Sequence, residues 1–212
     1  MITAKFKDQL EAASKLIEIL PKKELVDKKT IVVCMSLESV ILTDAVCRSL
    51  NLSYEMLFSE PIFAPNNAEC EIAIVSETEE IVLNDPLIRA FGISYDFIYG
   101  EAHRKYEEKI LKNVYKYRKG ELLGKLKDKN VLLLDEGCET GLTALACIKT
   151  LIGLKAKSIS YATPVIAADV AASLSDLVDE IFTVNKVVNF IEVDAYYKSK
   201  IELTSEYIMS IL

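Results

Sequence analysis

Apolar positions along the chain fall into short continuous runs and longer stretches in which they recur every third or fourth residue, so strands and helices should alternate. Phe6, Leu10, Ala13, Ile17 and Leu20 step by four and three. They predict an amphipathic helix over residues 3–20, ended by Pro21 and the charged Lys22, Lys23 and Glu24. Thr30 to Met35 is a β-branched run and reads as a buried strand. Ser36, Leu37, Glu38 and Ser39 form a turn, and Val40 to Leu50 returns to helical spacing. Tyr54 to Phe58 reads as a second strand, and Pro61 to Asn67, with its two prolines and Asn-Asn pair, as a loop. Ile72–Val75 and Glu80–Leu83 follow as strands. Asn84, Asp85 and Pro86 punctuate, and a short helix ends at Gly92.

Ser94 to Arg118 is the longest helical stretch, with Ser94 as its cap. Its aromatics Tyr95, Phe97, Tyr99, Tyr106, Tyr115 and Tyr117 are expected to form a packing seam. Lys116 to Lys129 is basic and loosely patterned, and reads either as a lid over an anionic ligand or as a solvated connector. Val131–Leu134 is a buried strand, followed after a turn by a helix through Leu142, Leu145, Ala146, Cys147, Ile148, Leu151 and Ile152 to Gly153. Ser158–Ala162 is a strand that Thr163-Pro164 should break. Val165–Leu174 reads as an Ala-rich helix, Glu180–Val184 as a strand and Leu203–Leu212 as a closing helix capped by Thr204 or Ser205. The alternation argues for an α/β fold: a mainly parallel, twisted sheet flanked by helices, in one domain with a small appended subdomain.

Composition narrows the function. The chain has 212 residues, 51% of them hydrophobic, which suffices for one sizeable core. A net charge of −7 argues against a nucleic-acid surface. No apolar run approaches the roughly 20 residues that a membrane helix needs, and the N-terminus has no apolar signal core. The cysteines at 34, 47, 70, 138 and 147 have no Cys-x-x-Cys spacing, and His103 is the only histidine. Free thiols in a reducing cytoplasm are therefore expected rather than a zinc site.

The chemistry concentrates between Val131 and Thr143. A buried strand ends in Asp135 and Glu136, then a turn with Gly137, Gly141, Thr140 and Thr143 opens a helix. The free N–H groups and positive dipole end of a helix start favour an anion. The acids beside it suit hydroxyls, a metal or a cation on the same ligand. A phosphate next to a diol describes a ribose phosphate; an ordinary strand–turn–helix with acids at its exposed end is the alternative.

An aliphatic strand, two acids, a short turn and Thr-Gly-x-Thr resemble the type I phosphoribosyltransferases, and most closely a bacterial family of predicted phosphoribosyltransferases of about this length. Weaker correspondences at Phe6 and Asp8, Pro65–Glu69, Leu83-Asn84, Thr163–Val165 and Val193–Tyr197 extend the resemblance over nearly the whole chain. It implies a phosphoribosyltransferase-type fold over residues 1–212, in which about 60–127 contribute a hood or lid. It implies transfer of ribose 5-phosphate from phosphoribosyl pyrophosphate (PRPP) to a nitrogenous base. Asp135 and Glu136 would hold the ribose hydroxyls, in part through Mg²⁺. Gly137, Cys138, Thr140, Gly141, Leu142 and Thr143 would cradle the 5′-phosphate. Glu139 stands where the 6-oxopurine branch carries an Asp that contacts the base, which implies an acid/base role; a solvent-facing carboxylate is the alternative. Cys138 reads as packing, although a helix start would depress its pKa.

Departures lie on the pyrophosphate side. The family builds that site from an Arg and two glycines after the first strand, whereas this chain has Ser36, Leu37, Glu38 and Ser39, with no glycine, no cation and an added carboxylate. A basic residue expected after the next strand is replaced around Ser59-Glu60, and an expected glycine is Ala73. A second function therefore stands beside the transferase: a catalytically decayed relative that binds a nucleotide or ribose phosphate as a regulatory ligand. The expected partners are small molecules, PRPP with a nucleobase or nucleotide, and neither nucleic acid nor membrane; a homodimer is left open.

Overall fold

A computed structural model describes residues 5–124, 126–199 and 203–211. In chain order the elements are α1 (Gln9–Ile19), α2 (Lys22–Asp27), β1 (Ile31–Cys34), α3 (Val40–Leu50), β2 (Tyr54–Met56), β3 (Ser59–Ala64), β4 (Asn67–Ser76), β5 (Ile81–Leu83), α4 (Asp85–Ala90), α5 (Tyr95–Lys105), a π-helical segment (Tyr106–Ile110), α6 (Leu111–Arg118), β6 (Asn130–Leu134), α7 (Leu142–Gly153), β7 (Ser158–Ala167), α8 (Ala168–Leu174), β8 (Glu180–Val187), a 3-10 turn (Val193–Tyr196) and α9 (Ser205–Ile211). Residues 3, 4, 125 and 212, included in the expected terminal helices and basic connector, lie outside the described residues.

Five parallel strands form the main sheet in the order β2-β1-β6-β7-β8. Both faces are covered, which is why these strands read as unbroken apolar runs. Val32, Leu132, Leu134 and Ala162 pack with Ala13, Leu16 and Leu42 of α1 and α3. Val33, Leu133 and Tyr161 pack on the other face with Ala144, Cys147 and Ile148 of α7. The α/β class with a mainly parallel sheet is thus as expected. A second, antiparallel sheet in the order β3-β4-β5 forms a hood with α4, α5 and α6. The hood rests on α7, where Ile74 and Val82 meet Leu142 and Ala146. Thr150 of α7 donates a 2.8 Å hydrogen bond to Ser76 at the end of β4.

Several expected boundaries move, each for a physical reason. The first helix begins only at Gln9, because the Asp8 side chain accepts from the N–H groups of Leu10 and Glu11 and caps it there. Phe6 instead bridges to Tyr197. Lys22–Asp27, expected only as an end signal, forms α2. The loop expected over Pro61–Asn67 is largely strand: Pro61 lies in β3, an edge strand, where its missing N–H has no ladder to interrupt. Nor does Thr163-Pro164 break its strand. β7 runs to Ala167, because Pro164 lies past the last rung shared with β6, Leu134↔Ala162, and pairing with β8 resumes at Val165↔Asn185. Val165–Ala167 is therefore strand, and α8 starts at Ala168. Thr204 is the cap of α9, accepting from Tyr207 N–H at 3.1 Å.

The long helix exists, but its seam is only partly aromatic. Phe97, Tyr106 and Tyr117 pack inward, whereas Tyr95, Tyr99 and Tyr115 are exposed. The inward row is Ile98, Ala102, Tyr106, Ile110 and Val114, spaced by four throughout. In a regular α-helix such a row drifts by about 40° per step. The wider π turn at Tyr106–Ile110 takes up part of that drift and keeps both ends on the core. Where the helix ends, Arg118 forms an ion pair with Glu77 and lies over the Phe58 ring at 5.2 Å; the two charged side chains are 11% and 5% exposed.

Replacing Arg118 by Ala leaves Glu77 charged and out of water, so the expected loss is about 3 kcal/mol in urea unfolding. The double variant Arg118→Met, Glu77→Gln should recover much of it. Equal losses in the single and double variants would show that the charge of Glu77 is not what costs stability.

Candidate functional site

The carboxyl ends of the central strands converge on Asp135 and Glu136, directly after β6. Asp135 is 7% exposed. Its Oδ2 accepts a hydrogen bond from the Tyr161 hydroxyl at 3.3 Å, and its Oδ1 accepts from the Glu136 N–H at 3.1 Å. Burial pushes the Asp135 carboxyl up to about 6, against these hydrogen bonds. Burial first, and then the charge of Asp135, hold Glu136 well above the usual carboxylate range. Glu136 Oε2 accepts from Ser36 Oγ at 3.2 Å, and its backbone carbonyl accepts from the Tyr197 hydroxyl at 2.6 Å. Tyr161 and Tyr197 come from β7 and from the segment after the 3-10 turn, distant stretches whose role was not visible in the motif.

The turn after the acids is pinned on both sides. Gly137 lies so close to Val193 that a Cβ there would meet its Cγ1 at 2.6 Å. Cys138 forms a bridge to Ile166, donating its N–H to Val165 O at 2.9 Å while its carbonyl accepts from Ala167 N–H at 3.0 Å. Cys138 is buried, and burial pushes its thiol up to about 12, so it is a packing residue and the lowered pKa expected from a helix start does not occur. Gly141 takes φ +74°, and a Cβ on it would meet Val170 Cγ1 at 2.6 Å. This residue opens α7 with no side chain of its own to cap it, and the Thr140 hydroxyl accepts from Leu142 N–H at 3.4 Å. Thr140 and Gly141 line the cavity at the first turn of that helix, and Thr143 stands inside it.

The cleft has two lobes. The larger, about 570 Å³, lies between the Asp135–Thr143 loop and the hood, and includes Asp135, Gly137, Cys138, Glu139, Thr140, Gly141 and Thr143 in its wall. The smaller, about 380 Å³, is bounded by Ser36, Leu37 and Glu38 on one side and Ser59 and Glu60 on the other. Glu71 and Thr143 belong to both. The structure thus brings most of the phosphate-loop residues and Asp135 to one cavity, with Ser36, Leu37 and Glu38 on its neighbour; Glu136 lines neither lobe and its Oε2 is engaged by Ser36. Leu142 lines neither lobe, since its side chain is buried against the hood. Of the described residues in 116–129, none lines either lobe; Gly124 N–H instead bonds Glu55 at 3.3 Å and Leu126 is buried in the core.

The Ser36–Ser39 turn is closed on itself. Ser39 N–H donates to Ser36 Oγ at 3.0 Å, Ser36 N–H donates to Ser39 Oγ at 3.3 Å, and the two hydroxyls lie 2.9 Å apart. Two N–H groups that a glycine-rich turn would aim at an anion are consumed internally. Charge around the cleft is mostly negative. Glu38, Glu60, Glu69, Glu71, Asp135 and Glu139 line it, and among the described residues no Lys or Arg does. Lys105 of α5 lies 3.7 Å from Glu60, a cation that no local pattern in the chain singles out. Glu139 is exposed at the rim; burial and then Glu192 raise its carboxyl.

No family model and no curated protein sequence matches the chain. Among solved structures it is similar to TT1426 from Thermus thermophilus, with 24% identity, 98% of this chain and 97% of that chain covered, and a TM-score of 0.74. It is more distantly similar to a purine phosphoribosyltransferase from Pyrococcus horikoshii, with 14% identity, 88% and 99% covered and a TM-score of 0.44. A hypoxanthine phosphoribosyltransferase from Staphylococcus aureus shows 12% identity, 94% and 77% covered and a TM-score of 0.45. The likeness to the Thermus protein establishes the fold, not an activity.

The raised carboxyl of Asp135 gives the unliganded protein a definite pH dependence. Its folded-state pKa lies above the ordinary 3.8, so its contribution to stability is full below about pH 4 and is lost as pH rises through about 6. A displacement of about two units amounts to on the order of 3 kcal/mol. Asp135→Asn removes that penalty, so its stability relative to the parent should increase between pH 4.5 and 7.5 and then level off, as followed by thermal unfolding. A difference independent of pH would overturn the electrostatic account.

Proposed function

We propose that the cleft binds ribose 5-phosphate and that the protein transfers it from PRPP to a nitrogenous base, releasing pyrophosphate. One observation carries this reading: Asp135 at the end of β6, with Glu136 next to it in the chain, and Thr140, Gly141 and Thr143 at the start of α7 line the same cavity. An anion at the helix start takes the free N–H groups of its first turn and the hydroxyls of Thr140 and Thr143. Asp135 and Glu136 accept hydrogen bonds from the ribose diol, which adds to the donors that these two desolvated carboxyls already have in Tyr161, the Glu136 N–H and Ser36. Gly137 and Gly141 permit the close approach, and Cys138 anchors the loop to β7. Glu139 stands on the rim as the acid/base group facing the incoming base.

Transfer of this kind passes through a cationic, oxocarbenium-like sugar, so positioning and charge stabilisation do most of the work. Carboxylates next to the sugar favour such a cation. Mg²⁺ fits the site by donor chemistry, since Asp135 and Glu136 offer hard oxygen ligands. Among the described residues no cluster of three or more metal-ligating side chains exists, so the ion would arrive with its PRPP. The chemistry it supplies when bound is neutralisation of the departing pyrophosphate.

The Ser36–Ser39 turn favours a second reading. With its N–H groups engaged and Glu38 beside it, the turn is poorly suited to a pyrophosphate, and a protein that retains only the ribose-phosphate lobe would bind a nucleotide as a regulatory ligand.

Calorimetry with PRPP, AMP and GMP, with and without Mg²⁺, separates the two. The transferase reading expects Mg²⁺-dependent PRPP binding and pyrophosphate release with at least one base. Tight AMP or GMP binding with no PRPP binding would leave the regulatory reading. In either case Thr143→Ala and Gly141→Val should each weaken ribose-phosphate binding about tenfold or more, roughly 1.4 kcal/mol. Unchanged affinity in a folded Gly141→Val variant would remove the phosphate site.

A further inference from the structure

Glu71 has no part in the phosphate loop or the acid pair, yet it lies in the wall of both lobes. Its position follows from a local irregularity. β3 and β4 pair Ile62 with Ala73 but Phe63 with Glu71, so Ile72 is an extra residue on β4. Side chains on a strand alternate, and one inserted residue reverses the alternation beyond it. Glu71 therefore shares a face with Ile74, and both line the smaller lobe. Without the bulge Glu71 would turn to the opposite face of the hood sheet.

The carboxylate so placed is short of partners. Among the described residues, Glu71 Oε1 is shut off from solvent and has no hydrogen-bond partner. The charged groups that share the cleft with it are all acids: Glu69 on its own strand, Glu139 and Asp135 in the wall of the larger lobe, and Glu38 and Glu60 in that of the smaller. Burial first, and then the charge of Glu139, push its carboxyl up to about 7. The hood wall next to it carries the apolar faces of Phe63 and Leu87. A flat, apolar wall beside a desolvated acceptor suits a planar heteroaromatic ring with an N–H on its edge.

We propose that Glu71 recognises the base, accepting a hydrogen bond from a ring or exocyclic N–H of a planar nitrogenous ligand held under the hood. This rests on the ribose 5-phosphate reading of the loop, and it adds the group that selects what is joined to that sugar. An unpaired buried acceptor penalises any ligand that cannot donate to it, so Glu71 discriminates by rejection as much as by attraction.

The test compares ribose 5-phosphate with AMP, IMP and GMP by calorimetry at pH 8, for the wild-type protein and for Glu71→Gln, Glu71→Ala and Glu139→Gln. The wild type should bind at least one nucleotide about tenfold more tightly than ribose 5-phosphate. Both Glu71 variants should abolish that preference while leaving ribose 5-phosphate affinity within about twofold. Retention of the preference in both Glu71 variants, or its loss only in Glu139→Gln, overturns the assignment and leaves the ribose-phosphate site standing. Failure of the wild type to bind ribose 5-phosphate and all three nucleotides overturns both.

Discussion

Helix α7 is buried on two faces at once, and the geometry of the cleft depends on that. Ala144, Cys147 and Ile148 hold it to the parallel sheet, Leu142 and Ala146 hold it to the hood, and the Thr150–Ser76 hydrogen bond fixes its far half to β4. A helix held on both of these faces cannot roll or slide without exposing apolar surface on one side, at roughly 25 cal/mol per Å². Its first turn is thereby held at the junction of sheet and hood. The loop that leads into it is held as firmly, by the Cys138 bridge to β7 and by Val193 and Val170 against Gly137 and Gly141. Free N–H groups in a preset direction, rather than mobile ones, are what an anion site needs.

The second determinant is electrostatic. Six carboxylates line the cleft and, among the described residues, no Lys or Arg does. Such a surface resists a bare polyanion and welcomes ligands that bring hydroxyls, N–H groups, a developing positive charge or a bound divalent cation. The helix terminus is the source of positive potential at the lining, so one anionic group is accommodated at one end and the remainder of the ligand meets acids. The self-bonded Ser36–Ser39 turn strengthens this asymmetry between the lobes.

Much of this was legible in the chain, for reasons that differ by element. Strands buried on both faces appear as plain apolar runs, so β1, β6 and β7 stand out, and the acid–turn–helix sequence marks the loop because its residues are consecutive. Proline misled twice: at Pro61 and Pro164 the missing N–H falls at a sheet edge or beyond a ladder's end, which only pairing order reveals. Tyr161 and Tyr197 reach the acid pair, and Lys105 reaches Glu60, from distant segments, where no local pattern announces them. Glu71 was hidden by the bulge, because a strict alternation of faces points it the other way.

The π turn at Tyr106–Ile110 has a further meaning for descent. A wide turn is what a regular helix becomes when one residue is inserted and both flanks keep their contacts. The hood helix therefore has one residue to spare, and chains of the same architecture can lack it while still presenting the same two ends to the core. Length variation among relatives at this point would record ancestry rather than a change in what the cleft binds.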